Sequence, residues 1–189
     1  MVMRSALVII HGSPASGKTS LGLALAADLG IPCLSKDQVK EALFETLGVG
    51  NREWSARLSR ASFAVLLRVG AAQLSAGRPC LLEGNWRPEH APALKTLGQG
   101  TELPFAQVCC FADPAEIERR FHARLRHPGH LDGLLSSEVL PKLPLEPRLL
   151  ELPGPAWVYR ADNCGGYAQL RRDLEIWFER RQFGTKSSI

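Results

Sequence analysis

The sequence predicts an α/β fold built on a five-stranded, mostly parallel sheet with helices on both faces. Three observations carry that expectation. Apolar runs free of charge recur along the 189 residues, as strands buried on both faces require. Helical patterns alternate with those runs, the signature of strand–helix–strand units. The first run leads straight into Gly12-Ser13-Pro14-Ala15-Ser16-Gly17-Lys18-Thr19, a complete phosphate-binding loop pattern. Hydrophobic residues make up 45% and charged residues 22%, so the chain belongs with ordinary globular proteins, and its length suits a single domain over 1–189.

The elements follow in order. Ala6-Leu7-Val8-Ile9-Ile10 is the first strand, and Ser20 to Ala27 begins the first helix. Strand, glycine loop and helix are what the loop needs, because the helix N-terminus adds its partial positive charge to a phosphate site. With this unit in place the expected architecture is a three-layer P-loop NTPase fold. Ile31-Pro32-Cys33-Leu34 is a short second strand, and Ser35 with Gln38 predicts a capping box before a helix from about Asp37 to Leu47. Asn51 caps a longer helix that runs to about Ala76, with Gly77 as its stop. In that helix Trp54, Leu58, Ala61, Val65, Val69 and Ala72 recur at spacings of three and four and predict the core face. Pro79 to Leu82 forms a third strand ending at Glu83, and Phe105 to Phe111 a fourth. Asp113-Pro114 opens a helix with Ile117, Phe121 and Leu125 on one face. Ala156 to Tyr159 reads as a buried fifth strand, followed by a helix from about Tyr167 to Arg181. Two stretches interrupt the alternation. Arg126 to Gly133 is turn-rich and, with the helix before it, predicts a small lid over about 120–135. Pro141 to Pro155 holds five prolines and predicts an extended, ordered connection. Residues 184–189 read as a frayed tail.

Composition narrows the function classes. A net charge of +4 suits anionic ligands such as nucleotides and is too dispersed to argue for nucleic acid. Five cysteines without a CxxC spacing fit reduced thiols rather than a disulfide scaffold. No run approaches the roughly 18 apolar residues of a membrane span, and the N-terminal run is too short for a signal peptide. The expectation is a cytoplasmic protein, monomeric or weakly dimeric, with no membrane partner.

The chemistry gathers at the carboxyl ends of the strands, where parallel sheets bind ligands. Backbone N–H groups of Gly12, Ser13, Pro14's neighbours Ala15, Ser16 and Gly17, and then Lys18, Thr19 and Ser20, are the nucleotide-binding set around the loop, Pro14 included as its rigid member. Lys18 can reach the outer phosphates, and the Thr19 hydroxyl can ligate Mg²⁺. Asp37, just past the second strand, stands where a carboxylate would orient an acceptor hydroxyl, and equally where an acid favours the helix dipole. Lys40, one turn on, could hold an acceptor phosphate, hold Asp37, or face solvent. Glu83 ends the third strand, where Mg²⁺ is commonly held through water; it could instead touch the acceptor. Asn85 follows as a substrate contact or a turn residue. Arg119, Arg120, Arg124 and Arg126 fall within eight residues, and Arg120 with Arg124 predict a clamp on the transferring phosphate. His127 and His130 read as part of the lid turn rather than as metal ligands. Asp162-Asn163, after the fifth strand, is the expected adenine-facing segment.

With these residues in view, the chain resembles the P-loop kinases that group zeta toxins, chloramphenicol phosphotransferase and the kinase domain of polynucleotide kinases, and within them the bacterial AAA-type ATP-binding proteins. The matching pieces are Gly12 to Thr19, Ser35-Lys36-Asp37-Gln38-Val39-Lys40, Glu83-Gly84-Asn85-Trp86, and Arg120 to Asp132 with its His-Pro-Gly-His. Lys40 stands where zeta toxins and polynucleotide kinases often carry arginine. The resemblance implies an acceptor-activating role for Asp37, ATP or GTP with Mg²⁺ as cofactors, and transfer of the γ-phosphate to a hydroxyl of a small molecule or nucleotide-like acceptor. The alternatives are a nucleotide-dependent switch or ATPase with a protein partner, and a kinase of nucleic-acid 5′ ends.

Overall fold

A computed structural model describes residues 5–97, 105–162 and 166–182; the expected tail at 184–189 and Asn163 lie outside them. Five strands, β1 (Leu7–Gly12), β2 (Cys33–Ser35), β3 (Cys80–Glu83), β4 (Phe105–Phe111) and β5 (Ala156–Arg160), form one sheet in the order β2-β3-β1-β4-β5. All its pairings are parallel, with Leu7 opposite both Cys80 and Phe105. The chain steps outward from β1 to β2 and back to β3 on one side, then continues to β4 and β5 on the other. The reversal leaves a crevice at the carboxyl end of β1.

Seven helices connect the strands among the described residues: α1 (Lys18–Leu29), α2 (Lys36–Leu47), α3 (Arg52–Ser75), α4 (Ala91–Thr96), α5 (Pro114–Ala123), α6 (Asp132–Val139) and α7 (Gly166–Gln182). The period-2 alternation of β1 divides the core. Val8 and Ile10 pack with Leu21 and Leu25 of α1 and Leu170 and Leu174 of α7. Leu7 and Ile9 pack on the other face with Leu66 and Leu74 of α3 and Leu94 of α4. The three-layer architecture is therefore as the sequence predicts.

Several local expectations are corrected. The buried stripe of α3 is Ser55, Leu58, Ser62, Leu66, Gly70 and Leu74, so Ala61, Val65, Val69 and Ala72 face outward. Two serines and a glycine let the helix sit close on the sheet, with Gly70 against Leu82, and hydropathy does not see such a face. α5 ends at Ala123, which leaves Leu125 fully exposed rather than in the core. β5 is an edge strand of alternating exposure, with Val158 46% exposed, not a buried one. β2 begins two residues later than expected, and α4 and α6 were not anticipated. The proline-rich connection does run extended into β5 after a single 3-10 turn at Leu140–Lys142. It is pinned to the sheet by Gln107, which donates from Nε2 to the Leu150 carbonyl (2.9 Å) and accepts at Oε1 from the Leu150 N–H (2.8 Å).

Candidate active site

The phosphate loop is a backbone construction. Gly12 (φ 147°), Ala15 (φ 60°) and Gly17 (φ 89°) adopt conformations that turn successive N–H groups inward, and Gly17 is the residue from which α1 starts. A side chain at Gly12 would lie 2.1 Å from the Cys110 carbonyl oxygen, so β4 permits only glycine there. From the other side the Cys110 thiol donates to the Ser16 carbonyl at 2.9 Å. Lys18 is 7% exposed and donates to the Ser13 carbonyl at 3.2 Å. Burial lowers its affinity for the proton, against the pull of Glu83 and Asp37. A buried ammonium held only by a carbonyl and by remote carboxylates is primed for a polyanion.

Opposite the loop, the first turn of α2 presents Asp37. Lys36 reaches its Oδ1 at 2.9 Å, and the Arg126 guanidinium donates to its Oδ2. Burial works against ionisation of Asp37, yet Lys36, Arg126 and Lys18 outweigh it and hold the carboxyl well below the ordinary carboxylate range. The expected capping box is not formed. Ser35 occupies the N-cap position, but its hydroxyl donates to Glu83 Oε2 at 2.6 Å, joining the ends of β2 and β3. Glu83 is fully buried behind the loop, where its charge bears on Lys18.

The arginines divide by partner. Arg120 donates to Glu116 (2.6 Å) and to the Ala161 carbonyl (3.2 Å), between α5 and the end of β5. Arg124 donates from Nε to Asp132 at 2.9 Å. Arg119 pairs with Glu116 on the exposed side of α5, away from the crevice. Arg126, which sequence reasoning noted only as a neighbour of the clamp, is the one that meets Asp37. Its signal in the sequence was its place at the start of the His-Pro-Gly-His turn. Lys40 donates to the Ser55 hydroxyl at 2.9 Å instead of to Asp37. Asn85 lies in the turn after β3, with its Oδ1 buried and without a hydrogen-bond partner among the described residues.

A cleft of about 520 Å³ brings these parts together: Ala15 and Gly17 to Ser20 on one wall, Asp37 with Arg124 and Arg126 on the other, and Arg120 lining both this cleft and the chamber beside it. A second chamber of about 300 Å³ opens beside Ser20 and Arg120, walled by Ala24, Tyr159, Ala161 and Tyr167. Asp162, the residue after Ala161, accepts from the Asp113 N–H at 3.2 Å. The arrangement can hold a polyphosphate along the start of α1, with its terminal group facing a carboxylate and arginine pair.

A family model described as an AAA domain matches residues 7–135. No curated protein matches the chain. Among solved structures, a protein of Chloroflexus aurantiacus provisionally described as a kinase is 29% identical with a TM-score of 0.81, over 92% of this chain and 98% of its own. The APS kinase of Mycobacterium tuberculosis, solved with AMPPNP and APS, is 17% identical with a TM-score of 0.61, over 94% and 99%. A sugar kinase of Janibacter sp. HTCC2649 is 17% identical with a TM-score of 0.57, over 93% and 95%. The two more distant likenesses speak to the fold alone.

Proposed function

The chain belongs to the AAA domain family and has the P-loop kinase fold, and from that premise we propose that it is a phosphotransferase moving the γ-phosphate of ATP to a hydroxyl of a small molecule. One observation carries this reading. Asp37 lines the same cleft as Lys18 and Thr19, and Arg126, which lines it too, donates to its Oδ2. A nucleotide switch needs no carboxylate there; a group transfer needs one to orient the attacking hydroxyl.

The geometry supports a division of roles. The loop amides and Lys18 bind the phosphates, and the chamber beside Tyr159 and Ala161 suits the nucleobase. Both Asp37 oxygens are engaged, one by Lys36 and one by Arg126. Arrival of the terminal phosphate draws Arg126 toward the new negative charge and frees Oδ2 for the acceptor hydroxyl. A carboxylate so firmly ionised orients the nucleophile and takes its proton late, as a loose phosphoryl transfer requires. Arg124 completes the positive wall, Arg120 approaches the phosphates from the nucleobase chamber, and residues about 120–135 act as a lid. The donors near the loop, the Thr19 hydroxyl and the Glu83 carboxylate, are hard oxygens of the kind Mg²⁺ prefers. They would hold the ion, Glu83 through water, and the ion would supply charge neutralisation on the phosphate oxygens. Support for the narrower likeness to zeta toxins and chloramphenicol phosphotransferase rests on Asp37 just past β2; Lys40, where zeta toxins often carry arginine, is spent on the Ser55 hydroxyl.

The test is an ADP-release screen against hydroxyl-bearing metabolites and antibiotics, followed by Asp37→Asn. We expect acceptor-dependent ADP release that drops about 10²–10⁴-fold in the variant while ATP affinity stays within a few-fold. Turnover insensitive to Asp37→Asn and dependent on a protein partner would instead identify a switch. Oligonucleotide binding with a steep salt dependence would identify an end kinase.

A further inference from the structure

The turn that follows Arg126 is seated on the acceptor-side helices. The Phe44 ring, 2% exposed, occupies the space a Gly129 side chain would need, with Cδ2 and Cγ 2.6 Å from that position. His127 stacks on the same ring, centroids 5.2 Å apart and planes 2° from parallel, and His130 meets it edge-on at 5.7 Å. The Gly129 carbonyl accepts from the Ser55 hydroxyl at 2.9 Å, and that hydroxyl accepts from Lys40 at 2.9 Å. One chain of hydrogen bonds therefore links α2, α3 and the turn. His130 Nε2 lies 2.8 Å from Glu41 Oε1 and 3.1 Å from Arg126 Nη2. Leu131 closes the turn at φ 57°, a left-handed conformation that a leucine keeps only when its surroundings enforce it.

The anchors share a helix face with the carboxylate they serve. Asp37, Lys40, Glu41 and Phe44 stand at i, i+3, i+4 and i+7 of α2, one side of the helix. Resting on the phosphotransferase reading, we infer that Phe44, Ser55 and Gly129 are positioning residues: they dock the 127–130 turn on α2 and α3, and the docked turn delivers Arg126 to Asp37. Arg126 sits between α5 and α6 in a stretch without regular helix, so its guanidinium has its place fixed by that docking. The three residues act through Arg126 and do not touch the reacting atoms.

The experiment compares wild type with Gly129→Ala, Ser55→Ala and the double variant Phe44→Leu/Gly129→Ala. One readout is the NMR titration of the Asp37 carboxyl in the nucleotide-free protein, which needs no activity. The other is steady-state transfer. In Gly129→Ala the added methyl meets the Phe44 ring and lifts the turn. Asp37 should then titrate at higher pH, and kcat should fall about 100-fold with KM for ATP within a few-fold, the effect of misplacing a group by about 1 Å. Ser55→Ala, which adds no bulk, should move both readouts the same way by less, and the double variant should recover most of the loss. An Asp37 titration that stays put in both single variants overturns the inference, as does an unchanged kcat when the titration moves. Should the wild type transfer phosphate to no acceptor, the phosphotransferase reading falls, and the titration alone still decides the docking.

Discussion

The two walls of the cleft are built by opposite means. The phosphate wall is made of backbone: eight consecutive residues, three of them at positive φ, held between β1, α1 and the Cys110 carbonyl. The acceptor wall is made of side chains drawn from α2, α3 and the 124–131 connection, with partners such as Arg126 and Asp37 that lie 89 residues apart. A backbone site is specified where it is written. A side-chain site is specified only when several elements are packed against one another, and it is therefore the part that can be moved, retuned or broken one residue at a time.

The sharpest test of that division is Arg126→Ala. If the acceptor wall does the chemistry and the phosphate wall the binding, the variant should lose about 10³–10⁵-fold in kcat, as for an arginine placed on a transferring phosphoryl group. Nucleotide affinity should change only a few-fold. Arg120→Ala should show the reverse balance, because Arg120 is tied to Glu116 and to the Ala161 carbonyl at the nucleobase chamber. Its loss should raise KM for ATP more than it lowers kcat. Steady-state kinetics with ATP varied at saturating acceptor separates the two. Equal kcat losses for both arginines would erase the distinction between the walls.

Gly12→Ala attacks the other wall. A methyl 2.1 Å from a backbone oxygen cannot be relieved by a rotamer change, and φ 147° is itself unfavourable for alanine. Strain and overpacking together should cost about 2–5 kcal/mol of stability, read from urea denaturation midpoints. Nucleotide affinity should fall at least about 100-fold, because moving one loop residue misdirects the amides beyond it. Retention of affinity would mean that the loop tolerates displacement and is less rigidly specified than its contacts indicate.

The sequence was legible in proportion to how local each feature is. Gly12 to Thr19, the strand before it and the helix after it are read from adjacent letters, and the parallel sheet covered on both faces follows from the alternation of strands and helices, whereas its strand order comes from the structure. Asp37 was legible as a position, since it follows β2 at the edge where ligands bind. Its partner was less so: the place of Arg126 at the start of the His-Pro-Gly-His turn sets it apart from Arg120 and Arg124 only once α5 is seen to end at Ala123, which takes the last two arginines off the helix face. The core face of α3 was misread for a related reason. Ser55 and Ser62 are buried because one donates to the Gly129 carbonyl and the other to the Leu58 carbonyl. A polar residue satisfied by a backbone carbonyl, one turn back for Ser62 and 74 residues away for Ser55, carries no periodic hydrophobic signal. Ser35 likewise spent its hydroxyl on Glu83 rather than on its own helix, a choice that only the pairing of β2 with β3 makes available.

The smallest expected effect distinguishes the walls by charge. Each has a buried lysine, but phosphate would neutralise Lys18, whereas Lys40 is in direct contact with the neutral Ser55 hydroxyl and the face of Phe44, 5.2 Å from its ammonium. Burial, with Lys36 and Arg126 adding to it, lowers Lys40 from 10.5 to about 8, against the pull of Asp37 and Asp132. Between about pH 8 and 10.5 the folded protein has released this proton while the unfolded chain still holds it, so unfolding takes a proton up and stability rises with pH across that window. Below about pH 8 the full cost of the buried cation is present, on the order of 1–3 kcal/mol. Thiols oppose the trend from about pH 9 upward: burial raises Cys33, Cys80 and Cys110 to about 12, so there the unfolded state is the one that releases protons. The total pH profile is therefore ambiguous, and the difference between wild type and Lys40→Met is not. Urea midpoints taken near pH 7 and pH 9.5 should show Lys40→Met gaining stability relative to wild type at the lower pH and losing that advantage at the higher. Saturating nucleotide should leave the difference in place, because the phosphates compensate the lysine of the other wall. Parallel profiles for the two proteins would show that Lys40 carries no buried charge, and a difference abolished by nucleotide would place Lys40 on the phosphate side of the cleft.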